Sequence, residues 1–213
     1  MIQSSRKVLV VAPHTDDAEL GCGGTMARLL EQDTRVYVAV FSTAEDSLPA
    51  GVPKGTLKRE FLSAMSFLGL PEEQCRVFDF SVRRLSYSRQ DVLEKLIDLR
   101  KEIDPDLVFI PSAQDLHQDH QVVYAEGVRA FKDCSLLGYE FPWNHLTFSS
   151  QAFVKLEARH MEMKWNVLQR SESQIALNRS YFTREFIESL ARVRGVQVKT
   201  DYAECFEVIR IKC

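Results

Sequence analysis

The residues of this sequence best suited to chemistry lie in two short stretches, Pro13-His14-Thr15-Asp16-Asp17-Ala18-Glu19 and Asp115-Leu116-His117-Gln118-Asp119-His120. Hydrolysing an amide at neutral pH needs an activated water, a way to polarise the carbonyl and a proton donor for the leaving amine. A divalent zinc ion on imidazole and carboxylate ligands supplies the first two, and a catalytic zinc site uses only three protein ligands. His14 and Asp17 share one tight turn and are close enough to converge on one ion, with His120 completing the set from the second stretch. Asp16 is then the spare carboxylate and the expected general base. His117 is the spare imidazole, expected to be protonated and to stabilise an oxyanion, with Asp119 as its orienting partner. The same donor types also accept iron(II), so the pattern leaves the cation open among zinc, iron and other divalent ions.

Such a site needs a scaffold that ends two strands side by side. Lys7 to Ala12 is apolar on both faces, as a strand inside a parallel sheet must be, and it stops at the first stretch. A helical stripe from Glu19 and a second strand, Arg35 to Phe41, complete a βαβ unit. The alternation continues with a helix over 57–68 ended by Gly69, a strand over 76–80, a helix over 92–103 ended by Asp104-Pro105, and a strand over 107–110. Beyond it the spacing predicts helix over 121–131, 152–170 and 183–194, with extended segments over 136–141 and 205–211. This order implies a doubly wound α/β fold, and such sheets place ligands at the carboxyl ends of their strands.

The length of 213 residues suits a single domain spanning 1–213. With 27 basic against 30 acidic residues there is no general basic field, which disfavours nucleic acid and anionic membranes as partners. The five cysteines, Cys22, Cys75, Cys134, Cys205 and Cys213, lack CxxC spacing and read as ordinary thiols. Neither a transmembrane segment nor a signal sequence is read, so a cytoplasmic location is expected. The glycines Gly21, Gly23 and Gly24 lack GxGxxG spacing and follow three carboxylates, so close helix packing is the expected reason for them. A lone histidine or Asp-Asp pair is commonly a core imidazole or a helix cap. The joint occurrence of both stretches at strand ends favours the metal reading.

At these residues the sequence resembles the PIG-L/LmbE-like family of zinc N-deacetylases. That family's first motif is of the Ala-His-Pro-Asp-Asp-Glu type and its second is His-x-Asp-His. Here proline precedes His14 and threonine follows it, while the metal and base side chains are intact. The resemblance implies a Rossmann-like three-layer fold, zinc on His14, Asp17 and His120, Asp16 as base, and His117 with Asp119 assisting the oxyanion. It also implies Arg59, in an arginine motif, as a substrate-binding residue, and suggests Tyr139 and Glu140 as further substrate contacts. Trp143 and His145 are candidates for a sugar subsite.

The implied activity is removal of the N-acetyl group from an N-acetylglucosamine-type conjugate, free or linked to a lipid or nucleotide, by a chain that leans toward a homo-oligomer. Two alternatives remain at this stage: a metal-dependent amidase of another conjugate, such as a thiol-sugar or antibiotic sugar, and a non-catalytic sugar-binding homologue.

Overall fold

A computed structural model describes residues 5–48 and 51–212, so Cys213 lies outside the described residues. Seven strands form one sheet in the order β3-β2-β1-β4-β5-β7-β6. They are β1 (Lys7–Ala12), β2 (Arg35–Val40), β3 (Cys75–Val77), β4 (Leu107–Pro111), β5 (Ser135–Tyr139), β6 (Ala152–Leu156) and β7 (Tyr202–Arg210). The first five pair in parallel, whereas β7 runs antiparallel to both β5 and β6. The helices are α1 (Asp17–Glu31), α2 (Thr56–Leu68), α3 (Arg89–Ile103), α4 (Gln118–Ala130), α5 (Ala158–Leu168), the short α6 (Glu172–Ile175) and α7 (Arg184–Gln197).

Strand alternation divides the core between two layers. Val8, Val10 and Ala12 face a cluster that includes residues of α1, α2, α5 and α7, while Leu9 and Val11 face one built with α3 and α4. Because β1 lies between β2 and β4, the winding direction reverses at the β1/β4 boundary. The loops leaving the carboxyl ends of those two strands part there and open a crevice. They are the two stretches singled out in the sequence.

The expected α/β alternation is present, with one substantive correction. The segment 152–170, read as continuous helix, is a strand followed by a helix. Ala152–Leu156 pairs antiparallel with β7 across the register Ala152↔Phe206 to Leu156↔Tyr202. Five residues are too few for periodicity to identify, and this strand is stabilised by a partner about fifty positions away in the chain.

The glycines of α1 serve packing, as expected. A Cβ on Gly21 would stand 2.8 Å from the Tyr139 ring, and one on Gly24 only 2.5 Å from Leu156. Cys22, Cys75, Cys134 and Cys205 are all free and buried, and burial raises each thiol's pKa. No helix among the described residues is long and apolar enough to cross a membrane.

Candidate metal centre

The loop after β1 is folded back by its own carboxylate: Asp17 Oδ2 accepts the backbone N–H of His14 at 2.8 Å. The same oxygen lies 3.1 Å from Nδ1 of His14 and 3.3 Å from Nε2 of His120. His120 sits in the first turn of α4, which starts where the β4 loop ends. One ligand atom from each of His14, Asp17 and His120 falls within 4.8 Å of the others, a span that one ion could bridge.

The far nitrogen of each imidazole is held by a carboxylate. His14 Nε2 is 3.0 Å from Asp119 Oδ2, and His120 Nδ1 is 2.7 Å from Asp115 Oδ2. This is the support that metal-binding histidines require, since the outer hydrogen bond fixes the tautomer and the ring plane. His14, His117 and Asp119 also converge within 4.8 Å. That set suits an ion less well, because both Asp119 oxygens already accept backbone N–H groups, those of Arg83 and Leu85.

Electrostatics agrees with the geometry. Burial works against charge on both imidazoles, yet the Asp17 carboxylate and the hydrogen bonds to acidic partners outweigh it, raising His14 to about 9 and His120 to about 10. Burial alone would raise Asp17. His120 and His14 overcome that and hold it well below the usual carboxylate range. Two imidazoles crowded on one carboxylate therefore carry protons at pH 7, which an entering cation displaces. Asp16 is pushed the other way, up to about 6, by burial and then by the Asp17 charge.

The cluster opens into a cleft of about 220 Å³. His14, Asp16, Asp17, His117 and His120 line its floor side, and Val82, Arg83, Trp143, Leu177, Arg179 and Tyr181 are among its walls. Phe141, Trp143 and Tyr181 stack in series, with centroids 4.8 Å and 4.1 Å apart.

Several expectations require correction. The Asp119 carboxylate is turned to His14, and His117 is instead steadied by the Asp119 backbone N–H at 3.2 Å. His117 is also not disposed to carry charge, because burial, then His120 and His14, pushes it down to about 4. Tyr139 is fully buried, with its hydroxyl donating to Val11 O at 3.1 Å, so it packs under α1 rather than meeting a ligand. Glu140 is buried and ion-paired with Arg194, away from the cleft. Arg59 donates to Lys54 O and Thr56 Oγ1 in the first turn of α2 and does not line the cleft. His145 is buried behind Asp115, at 4.0 Å, whereas Trp143 does line the cleft.

Sequence reading included Asp115 in the second stretch without giving it a role, and it missed the cleft arginines. Only the general requirement for a carboxylate behind a metal-binding histidine pointed to Asp115, a few residues before His120 in the same loop.

A Rossmann-like sheet with a carboxylate-braced His-Asp-His set at its switch point defines an α/β protein with a candidate metal centre. More particularly, the chain belongs to the PIG-L family: the family description "GlcNAc-PI de-N-acetylase" matches residues 9–131. It is 28% identical over 172 residues to the uncharacterized deacetylase YaiS of Escherichia coli, covering 78% of this chain and 90% of that protein. It is 25% identical to the diacetylchitobiose deacetylase of Thermococcus kodakarensis, covering 93% of this chain and 81% of the relative.

Among solved structures, the N,N'-diacetylchitobiose deacetylase of Pyrococcus horikoshii superposes with a TM-score of 0.81 at 20% identity, over 98% of this chain and 85% of that one. The 4-carboxy-2-hydroxymuconate hydratase GalB of Pseudomonas putida matches at a TM-score of 0.80 and 20% identity, over 98% of each chain. The fold is thus shared by proteins with different named reactions.

Proposed function

We propose that this protein is a zinc-dependent hydrolase that removes the N-acetyl group from an N-acetylglucosamine-type conjugate. The observation that carries this reading is the convergence of His14 Nδ1, Asp17 Oδ2 and His120 Nε2 beside Asp16 and His117 at the floor of one cleft. Deacetylases among the sequence relatives support it.

His14, Asp17 and His120 would hold the cation, which when bound polarises the acyl oxygen and makes water more acidic. Asp16 is the base. With its pKa near 6 it is ionised at pH 7, yet basic enough to take a proton from the attacking water and return it to the amine as the C–N bond breaks. His117 assists as a neutral imidazole. Its Nδ1 accepts the Asp119 N–H, so the ring proton resides on Nε2, from which it donates a hydrogen bond to the developing oxyanion. The products are acetate and the free amino sugar. The stacked Trp143 and Tyr181 offer an aromatic wall for the sugar ring.

The test is acetate release by zinc-loaded protein from free, nucleotide-linked and lipid-linked N-acetylglucosamine. Asp16→Asn should retain metal and lose about 10²- to 10⁴-fold in kcat. Full turnover by a metal-replete Asp16→Asn protein would remove Asp16 as the base.

A further inference from the structure

The cleft holds the His-Asp-His cluster at its floor and two arginines at its rim. Arg83 and Arg179 line it from separate segments, the loop after β3 and the loop between α6 and α7. Both are exposed, and among the described residues neither has a carboxylate within ion-pair distance.

Each rim arginine is also placed by the structure around it. Arg83 has φ 63, a left-handed conformation unfavourable to a side chain, and its N–H is drawn to Asp119 Oδ2 at 2.6 Å. The carboxylate that braces His14 therefore also fixes where Arg83 leaves the chain. Arg179 donates to the Tyr181 hydroxyl at 2.9 Å, and Tyr181 is itself stacked on Trp143. The segment carrying Arg179 is tied to α2 by Glu60, which accepts the Ser173 N–H at 2.9 Å and the Ser173 hydroxyl at 2.6 Å. Two arginines at the mouth of a sugar-sized cleft, Arg83 fixed through its backbone and Arg179 through its guanidinium, offer the planar, bidentate donors that a phosphate or carboxylate takes.

We propose that Arg83 and Arg179 form an anion-binding rim that selects amino-sugar substrates bearing a phosphate or carboxylate next to the acetylated ring. This rests on the deacetylase reading above and narrows its substrate class. The sugar lies against the aromatic wall of Trp143 and Tyr181 with its acetamide toward Asp16, and the charged substituent meets the two guanidiniums.

The experiment compares three probes on the zinc-loaded protein: methyl N-acetylglucosaminide, N-acetylglucosamine 1-phosphate and the carboxymethyl glycoside of N-acetylglucosamine. KM is measured for turnover, and affinity is measured by calorimetry on Asp16→Asn, which does not depend on catalysis. The rim predicts that one or both charged probes bind at least about tenfold tighter than the methyl glycoside. Arg179→Gln and Arg83→Gln should each reduce that preference about tenfold, and the preference should weaken as salt rises. Which charged probe gains more tells phosphate from carboxylate. Acetate release from the methyl glycoside with no preference for either charged probe would leave deacetylation standing and remove the rim. Failure of both charged probes to bind Asp16→Asn overturns it as well. So does an Arg179→Gln protein that loses kcat equally on all probes with a displaced pH profile, since Arg179 would then act on Asp16 and not on substrate.

Discussion

Helix α1 carries buried charge at two places, and they are built on opposite plans. At its midpoint, Glu204 from β7 accepts the N–H groups of Gly24 and Thr25 at 3.0 and 2.7 Å and the Lys164 ammonium at 2.6 Å. Lys164 also donates to Leu20 O. Acceptors there meet donors and cleft access is lacking. At its first turn, Asp17 faces two imidazoles that repel one another and open to the cleft. Buried charge therefore does not mark a functional site by itself. Ligand atoms that converge within reach of one ion at the edge of an open cleft do.

The largest effect expected from this contrast is at the first turn. His120→Ala should abolish stoichiometric zinc binding and reduce acetate release by at least about 10³-fold, as metal analysis and turnover would record. The midpoint should behave in the opposite sense. Glu204→Gln leaves the Lys164 cation buried without its counter-charge, which should cost about 3 kcal/mol in denaturant unfolding while zinc content is maintained. If Glu204→Gln lost zinc but kept its stability, the distinction between the two clusters would be wrong. Asp115→Ala lies between them, because it removes the brace on His120 but no ligand. It should weaken zinc affinity about 10- to 100-fold in a chelator competition.

The smallest effect belongs to the last residue of α1. Glu31 is half-exposed and held down to about 2, first by its hydrogen bonds to Arg159 and then by that to His160. Because its folded pKa lies below that of an ordinary carboxylate, its contribution is present above about pH 4.5 and fades as pH falls toward 2. Glu31→Gln should therefore be slightly less stable at pH 6 and indistinguishable from the parent near pH 2, as acid titration of unfolding would record.

The parallel half of the fold was legible because its signals are local. Strand β1 is a continuous apolar run, and each half of the donor set occupies a few consecutive residues at a strand end. What was misread depends on contacts between distant positions. Strand β6 exists because β7 pairs with it. The family resemblance suggested Tyr139 and Glu140 as ligand contacts, but the packing of Gly21 against the tyrosine and of Arg194 against the glutamate decides their places. Asp119 was expected to orient His117, yet its carboxylate points to His14, a choice made by loop geometry that sequence order does not record. Arg83 and Arg179 lie in irregular loops, where no periodicity reveals which side chains reach the cleft.

The tie between Glu60 and Ser173 has a consequence for how such a protein diversifies. It fastens α6, which leads into the loop that carries Leu177, Arg179 and Tyr181, to α2, a helix that supplies none of the donor residues. Much of the entrance is therefore assembled from chain beyond residue 131, outside the stretch that the family description spans. Insertions and exchanges in that loop can remodel who is admitted while leaving the ancestral apparatus below undisturbed, so kinship in the first half of the chain carries no promise of a common diet.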